Sequence, residues 1–343
     1  MHSFSSSLIR WQREHGRHGL PWQGAGAYHV WLSEVMLQQT QVVTVIPYYL
    51  RFVEAFPTVA DLALASEEQV LAYWSGLGYY ARGRNLHRAA RRVVDLHDGQ
   101  FPCQFEQILA LPGVGRTTAA AICAQAYQMR YAILDGNVKR VLARYCGISG
   151  SPAIKSVESL LWERAELLLP DVDVGCYTQA LMDMGATLCT RSRPKCVVCP
   201  VQKDCVAYQS GRVAELPTPR IRKAVPERFS TFLLVMHGGD VLLEKRTSSG
   251  IWGGMWCLPQ LDEGQSEIDD YVQNNALDVN GVIQLARLTH TFTHFKLQIS
   301  PVHLALTQKP RQLQKAVWMK VSEALSSAIP TPVRTLLAEI QGA

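Results

Sequence analysis

Residues 111–118 read LPGVGRTT and residues 133–144 read ILDGNVKRVLAR, with the alanine-rich run AAAICAQA opening at residue 119 between them. Gly113 and Gly115 flank Val114 in a tight turn, both free to take φ > 0, and the turn leads straight into a helix. Backbone N–H groups at such a helix start have no partner within the helix and attract an anion, most naturally a phosphate. Asp135 follows twenty residues after Gly115, ahead of Gly136 and Asn137, where a second helix begins. Val138, Val141, Leu142 and Tyr145 make one apolar stripe on that helix. Asp135 thus stands at a helix N-terminus, where the macrodipole keeps a carboxylate ionised. The pattern is hairpin, helix, turn, helix, and a phosphate cradle beside an ionised carboxylate implies chemistry on nucleic acid.

On the N-terminal side, residues 8–15 and 29–46 have helical periodicity. In the second, Trp31, Leu32, Val35, Met36, Val42, Val43 and Ile46 form the apolar side, which Gln38 and Gln39 interrupt. Glu34, Gln38 and Gln41 fall at i, i+4 and i+7 and share a face. Taken alone Glu34 is an ordinary solvated helix carboxylate, but two adjacent glutamines cutting an apolar stripe are less ordinary, because buried amides need partners. A helix around 66–75 follows, then a glycine turn, Gly76-Leu77-Gly78-Tyr79-Tyr80, and a helix carrying Arg82, Arg84, Arg88, Arg91 and Arg92. That order suits nucleic acid, with apolar wedges entering a base stack and cations on phosphates; it equally describes tyrosines packed under a helix–helix connection. Residues 153–188 add two or more helices, and no segment before residue 189 reads as a strand.

Cys189, Cys196, Cys199 and Cys205 are spaced C-x6-C-x2-C-x5-C among arginine, lysine and proline. Four thiolates this close can close around one metal centre, and spacing alone accepts either zinc or an iron–sulfur cluster. The other cysteines, at 103, 123, 146, 176 and 257, are scattered and read as small buried hydrophobes. Residues 207–228 carry prolines and basic residues without periodicity, the composition of a linker. Beyond them STFLLVMHGGDVLLEKR reads as strand, Gly-Gly turn, strand, followed by WGGMWCLPQ, a helix over 265–276, and strands in QLARLTHTFTHFKLQIS and VHLALT.

The whole chain sets bounds on these readings. At 343 residues two domains are expected, and 48% hydrophobic with 18% charged residues provides for buried cores. A net charge of +5 permits a polyanionic partner without arguing for one. The N-terminal segment has no apolar core of the signal-peptide kind, and no uncharged run reaches spanning length. A cytoplasmic protein is expected, with no membrane partner, and clustered cysteines in a reducing compartment point to metal rather than disulfides.

With these residues in view, the chain resembles the adenine DNA glycosylases of the MutY type, in the helix-hairpin-helix base-excision superfamily. The resemblance is dense from about residue 20 to 210, through LPW, WLSEVMLQQTQV, GLGYYARGRNLH, LPGVGRTTA, ILDGNVKRVL and the four cysteines, and weaker from 229 to 300. It implies a mainly α N-terminal region over 1–210, a six-helix barrel plus a [4Fe-4S] helical module with its cluster loop at 189–205. A linker at 211–228 and a smaller α+β Nudix-like domain over 229–343 would follow. The metal question resolves, by resemblance, to a [4Fe-4S] cluster on Cys189, Cys196, Cys199 and Cys205, with Arg191, Arg193 and Lys195 in its DNA-facing loop.

The implied activity is removal of adenine mispaired with 8-oxoguanine or guanine in double-stranded DNA, by a monomer acting on DNA in the cytoplasm (the nucleoid, in a bacterium). Glu34 matches the family's acid, which protonates adenine N7 and needs a pKa raised by a dry pocket. Asp135 matches the carboxylate beneath the oxocarbenium-like sugar, following two-carboxylate glycosidase logic. Asn137 would hold Asp135 or the attacking water. Thr117 stands where strand-cutting relatives carry a Schiff-base lysine, which implies a monofunctional enzyme. Gln39, Leu77 and Tyr79 would enter the duplex with Gln38 beside them, and Gly113, Gly115, Thr117 and Lys139 would also contact DNA. Leu20, Trp22, Gln23 and Gln179 would form the adenine pocket.

Phe292, Thr293 and His294 match the Phe-Ser-His loop that reads 8-oxoguanine, with threonine in place of serine; as plain sequence they are a strand with one buried ring. QLDEGQSEIDDYVQNN lacks the Arg-Glu-x-x-Glu-Glu helix of a Nudix hydrolase, so diphosphate hydrolysis is not expected. Two other readings compete: a glycosylase/lyase for oxidised pyrimidines, against which Thr117 counts, and a non-catalytic zinc-bearing DNA-binding protein.

Overall fold

The computed structural model describes residues 3–219, 225–248, 250–310 and 316–342; residues 220–224 of the expected linker lie outside these. Helices occupy the first part: α1 (Ser3–His15), α2 (Ala27–Leu37), α3 (Val42–Ala55), α4 (Val59–Leu64), α5 (Glu67–Trp74), α6 (Ala81–His97), α7 (Phe105–Leu109), α8 (Arg116–Tyr127), α9 (Gly136–Tyr145), α10 (Lys155–Leu168), α11 (Val174–Thr187) and α12 (Val206–Gln209). The rest is a mixed sheet with three helices: β1 (Glu227–His237), β2 (Asp240–Lys245), β3 (Trp256–Cys257), β4 (Gln260–Leu261), α13 (Gln265–Asn274), β5 (Val279–Gln284), β6 (Leu288–Thr291), β7 (Lys296–Leu306), β8 (Ala316–Lys320), α14 (Val321–Ser326) and α15 (Thr331–Gln341). An N-terminal helical region and a C-terminal α+β domain are therefore what the sequence encodes. Among the described residues no helix is long and apolar enough to cross a membrane.

Contacts divide the chain into two units, Met1–Ala63 with Arg88–Arg222, and Leu64–His87 with Lys223–Ala343. Residues 64–87, which the sequence reading places in the helical region, group by contact with the C-terminal unit. The reason is a set of polar ties. Glu68 accepts from Lys245 Nζ at 2.5 Å and Trp256 Nε1 at 2.7 Å, Ser75 Oγ donates to the Ile329 carbonyl at 2.6 Å, and Arg84 donates to the Gly253 carbonyl at 2.8 Å.

In the helical unit α8 is central. Its small residues Ala119, Ala120, Ala121 and Ala124 are all buried, and short side chains let neighbouring helix axes come close. α2 and α11 pack against it, and α9 and α1 pack against α11. α2 is buried nearly all round, from Tyr28 through Val30, Trp31, Leu32 and Ser33 to Met36, as expected of a helix lacking a polar face. The single helix expected over 29–46 is two. The chain breaks at residues 38–41, where Gln39 takes a left-handed φ of 58°. An apolar stripe that continues on both sides of the break hid it from the periodicity.

In the other unit the strand order is β3-β2-β1-β7-β5, with β4 on β1, β6 on β7 and β8 on β2. β1 and β7 are parallel in register from Glu227 opposite Lys296 to Met236 opposite Ala305. The two strands expected around residues 296–307 are one, β7, running through Pro301. β6 ends its pairing at Ile299 and β5 begins at Val302, so Pro301 sits where no ladder partner needs its missing N–H. Ile268 of α13 joins Leu233, Val235, Leu242, Val302 and Leu304 in one apolar cluster.

Candidate active site

The turn after α7 is closed by the Val114 N–H donating to the Leu111 carbonyl at 3.1 Å. Gly113 takes the positive φ of 79° that the turn requires, whereas Gly115 is extended at −100° as the N-cap of α8. One glycine, not two, uses left-handed freedom.

Two residues further, the Thr117 hydroxyl accepts the Leu134 N–H at 3.3 Å. The α8 start is thereby tied to the segment that delivers Asp135. The Asp135 carboxylate caps α9, accepting from the Val138 N–H at 2.7 Å. The cap does not leave the carboxyl at its ordinary value. Burial raises its pKa, outweighing the Val138 and Asn137 N–H groups and the charges of Arg140 and Lys139, so the macrodipole alone gives the wrong sign. Asn137 stands beside it. Its side-chain oxygen accepts from Arg140 at 2.8 Å, and only its backbone N–H serves Asp135.

Glu34 comes from α2 and opens on the same cleft as Asp135, a space of about 910 Å3. Its pKa is pushed up to about 7. Burial is the main cause, the Asp135 charge adds to it, and the Gln125 amide, donating to Glu34 Oε1 at 3.2 Å, opposes both. One carboxyl near neutrality thus faces a second carboxyl across a single cleft, the arrangement that separates an acid from an anionic stabiliser.

Of the residues singled out in the sequence, Glu34, Gln38, Gln39, Thr117, Asp135 and Asn137 line this cleft together. Gln38 reaches Thr118 Oγ1 at 3.5 Å, and Gln39 is exposed. Leu20, Trp22, Gln23 and Gln179, expected around adenine, are not among its lining residues. Trp22 is buried on Tyr49 at 5.2 Å, and Gln23 bridges the Leu20 N–H and the Arg17 carbonyl, each at 3.0 Å. Gln179 donates to Asp183 at 2.8 Å.

What lines the cleft instead includes Arg17, Met182, Ala186 and Thr187. Arg17 is fixed by Asp183, whose fully buried carboxylate accepts from the Arg17 backbone N–H and from its Nε, each at 2.7 Å. The signal for this pair was an aspartate inside the apolar run YTQALMDMGATL, since a buried carboxylate needs a partner. Lys139, expected on DNA, is paired with Glu158 at 2.5 Å.

Tyr79 lies in the 64–87 segment of the other unit, 46% exposed with a left-handed φ of 49°. Leu77, also expected on DNA, is 6% exposed, its side chain packed in this structure. Phe292, Thr293 and His294 form the turn between β6 and β7, closed by the Phe292 N–H donating to the Phe295 carbonyl at 2.9 Å. Phe292 stacks on Phe295 at 4.5 Å and contacts Trp252 and His290, while Thr293 and His294 are exposed.

Cys189, Cys196, Cys199 and Cys205 line one cavity walled by Val141, Met184, Leu188 and Val201. Among the described residues, no three His, Cys, Asp or Glu side chains form a group that could hold a single metal ion. Burial raises the thiols of Cys196, Cys199 (to about 11) and Cys205. Arg144, 3% exposed, donates to Cys189 Sγ at 3.3 Å and to the Thr190, Arg191 and Leu216 carbonyls. Four soft donors with a buried guanidinium beside them fit an anionic thiolate-bound centre. Arg140 links this region to the cleft, donating to the Cys189 carbonyl at 2.7 Å as well as to Asn137. Arg191, Arg193 and Lys195 are exposed.

Comparison with known proteins gives the family. Residues 32–167 match the HhH-GPD superfamily of base excision DNA repair proteins, and residues 231–339 match the NUDIX domain. The adenine DNA glycosylase of Buchnera aphidicola subsp. Acyrthosiphon pisum (strain APS) is 36% identical over 97% of this chain and 96% of its own length. The Homo sapiens adenine DNA glycosylase is 34% identical over 99% of this chain and 74% of its own length. A solved structure of a thermostable thymine-DNA glycosylase superposes with a TM-score of 0.55 at 29% identity, covering 60% of this chain and 95% of that one.

Proposed function

The chain belongs to the adenine DNA glycosylases of base excision repair, and from that premise we propose that it excises adenine opposite 8-oxoguanine or guanine in duplex DNA, with Glu34 and Asp135 as its two catalytic residues. The observation that carries this reading is the pair itself: Glu34, poised near pH 7, and Asp135 open on one cleft.

The N-glycosidic bond is hidden in a duplex, so adenine must first leave the stack, at about a few kcal/mol. Gln39 and Tyr79, both exposed and both in left-handed backbone, are the wedges we assign to that step. Glu34 then gives its proton to N7, and the bonding pair of C1′–N9 departs with neutral adenine. Asp135 stabilises the cationic sugar left behind, or bonds to it transiently, until water adds at C1′ and an abasic site remains. Thr117 offers no amine and its hydroxyl is engaged with Leu134, so the sugar is not opened by a Schiff base there. Strand scission is expected only after hot alkali. Direct cleavage of a thymine-glycol duplex would instead favour the lyase reading.

The Nudix-like domain reads the opposite base through Thr293 and His294, whose side chains are exposed on the β6–β7 turn. Single-turnover adenine release from 8-oxoguanine:adenine, guanine:adenine and cytosine:adenine duplexes tests the assignment. Rates should fall in that order, and equal rates on all three would overturn it.

A [4Fe-4S] cluster, when bound by Cys189, Cys196, Cys199 and Cys205, supplies a rigid core for the loop bearing Arg191, Arg193 and Lys195. The purified protein should be brown, with sulfide and about four irons. Cys199→Ser should lose most of the visible absorbance and lower Tm. One equivalent of zinc in a colourless protein with no base release would support the non-catalytic alternative. A monomer working on DNA in the cytoplasm completes the proposal.

A further inference from the structure

The alanine-rich run of α8, AAAICAQA, carries one amide, Gln125. An amide turned inward from such a helix needs a partner. Thr118, Ala121 and Gln125 fall at i, i+3 and i+7 and share a face, and the first two stand on the cleft wall. Gln125 is half-buried one turn beyond them and is not part of that wall. Its Nε2 donates to Glu34 Oε1 at 3.2 Å, so it reaches from α8 to a carboxyl that opens on the cleft. Among the described residues Gln125 is the one side chain hydrogen-bonded to Glu34.

This bond sorts the two carboxyl oxygens. An oxygen that accepts an N–H engages a lone pair with it, so the acid hydrogen of Glu34 belongs on Oε2. The bond also changes strength during the reaction. It is neutral while Glu34 holds its proton and charge-assisted once the carboxylate forms, which roughly doubles it. An interaction stronger in the transition state than in the ground state lowers the barrier.

We propose that Gln125 is a positioning residue for the proton-transfer step: its amide holds Oε1, reserves Oε2 for the transferable proton and stabilises the carboxylate left when that proton moves to adenine N7. The Oε2–H bond breaks and the N7–H bond forms, the electron pair staying on Glu34. The inference rests on Glu34 being the acid. Gln125 touches neither the base nor the sugar.

The charged groups on the cleft wall besides Glu34 are Arg17, Asp135 and Arg140. Those on the elements packed against α2 are occupied elsewhere. His29 of α2 itself bonds the Tyr49 hydroxyl of α3 at 2.9 Å, Arg51 of α3 lies over the Tyr48 ring, and Glu54 is exposed. On α8, Arg116 pairs with Glu166, Tyr127 donates to the Phe101 and Pro102 carbonyls, and burial pushes the Cys123 thiol up to about 11. The influences on Glu34 are therefore burial, Asp135 and Gln125. Donation by Gln125 favours the ionised form, so without the amide the acid should persist to higher pH.

Single-turnover adenine release from an 8-oxoguanine:adenine duplex, followed from about pH 5 to about pH 9, tests this with Gln125→Met, Gln125→Leu and Glu34→Gln. Both Gln125 variants should release adenine about three- to tenfold more slowly at low pH. Their alkaline limbs should lie about half a pH unit to one unit higher than that of the wild type, with duplex affinity within a few-fold. A structural role would slow release at every pH and leave the limb in place, and that result overturns the proposal. So does a limb moved to lower pH, which an amide oxygen facing Glu34 would give. Wild-type release by Glu34→Gln would remove the acid itself, whereas a slow Glu34→Gln beside unmoved Gln125 profiles removes Gln125 alone. Unaltered circular dichroism of the two Gln125 variants excludes misfolding as the cause of a loss.

Discussion

Glu34→Gln is expected to slow adenine release about 10²–10⁴-fold, the range general acids contribute, while affinity for an 8-oxoguanine:adenine duplex stays within a few-fold. Glutamine keeps the shape of the side chain and its contact with Gln125, and removes only the transferable proton. In the wild type that proton is lost as pH rises through about 7, so release should fall roughly tenfold per pH unit above that value. The stability effect has the opposite sense. Glu34 is raised from 4.5 to about 7, so the folded state holds a proton the unfolded chain has released, and stability falls as pH rises across that window. Above pH 7 the penalty is up to about 3 kcal/mol, and the Glu34→Gln variant escapes it. The variant should therefore unfold at higher temperature than the wild type at pH 8 and at the same temperature at pH 4. Near-wild-type turnover, or equal Tm values at pH 8, would remove Glu34 from the acid role.

Residues 111–144 were legible because their signals are local. A glycine turn, an alanine run and a capped amphipathic helix are each written within a few positions, and the chain folds them accordingly. The four cysteines were legible for the same reason, by spacing. Glu34 was not. Its periodicity describes an ordinary helix carboxylate, and its partnership with Asp135 is a contact between residues a hundred positions apart that family likeness, not pattern, supplied. The break at Gln38–Gln41 was hidden because the apolar residues of α3 continue those of α2, although the two interrupting glutamines marked its place. Residues 64–87 were assigned by chain continuity, while their ties to Lys245, Trp256 and Ile329 were written far downstream. Leu77 shows the same limit, since nothing in GLGYY tells a buried leucine from an exposed one. Asp135 was placed correctly at a helix start, but its pKa direction followed burial, which the sequence does not record.

Asp135→Asn should slow adenine release about 10²–10³-fold, the cost of removing one preorganised electrostatic group from a developing charge. It should do so with little loss of stability. Asparagine caps a helix as well as aspartate does, and its oxygen can still accept the Val138 N–H now made at 2.7 Å. Asp135→Ala removes cap and charge together and should cost about 1 kcal/mol of stability in addition. The comparison separates the sugar-facing charge from the structural cap, because the two variants should share a rate defect and differ in Tm. A second readout follows from the coupling across the cleft. The Asp135 charge helps to raise the Glu34 pKa, so its removal should move the alkaline limb of the residual activity to lower pH. A cap alone leaves that limb where it was. A rate near wild type, or a slow variant whose pH profile is unmoved, would show that Asp135 starts α9 without facing the sugar.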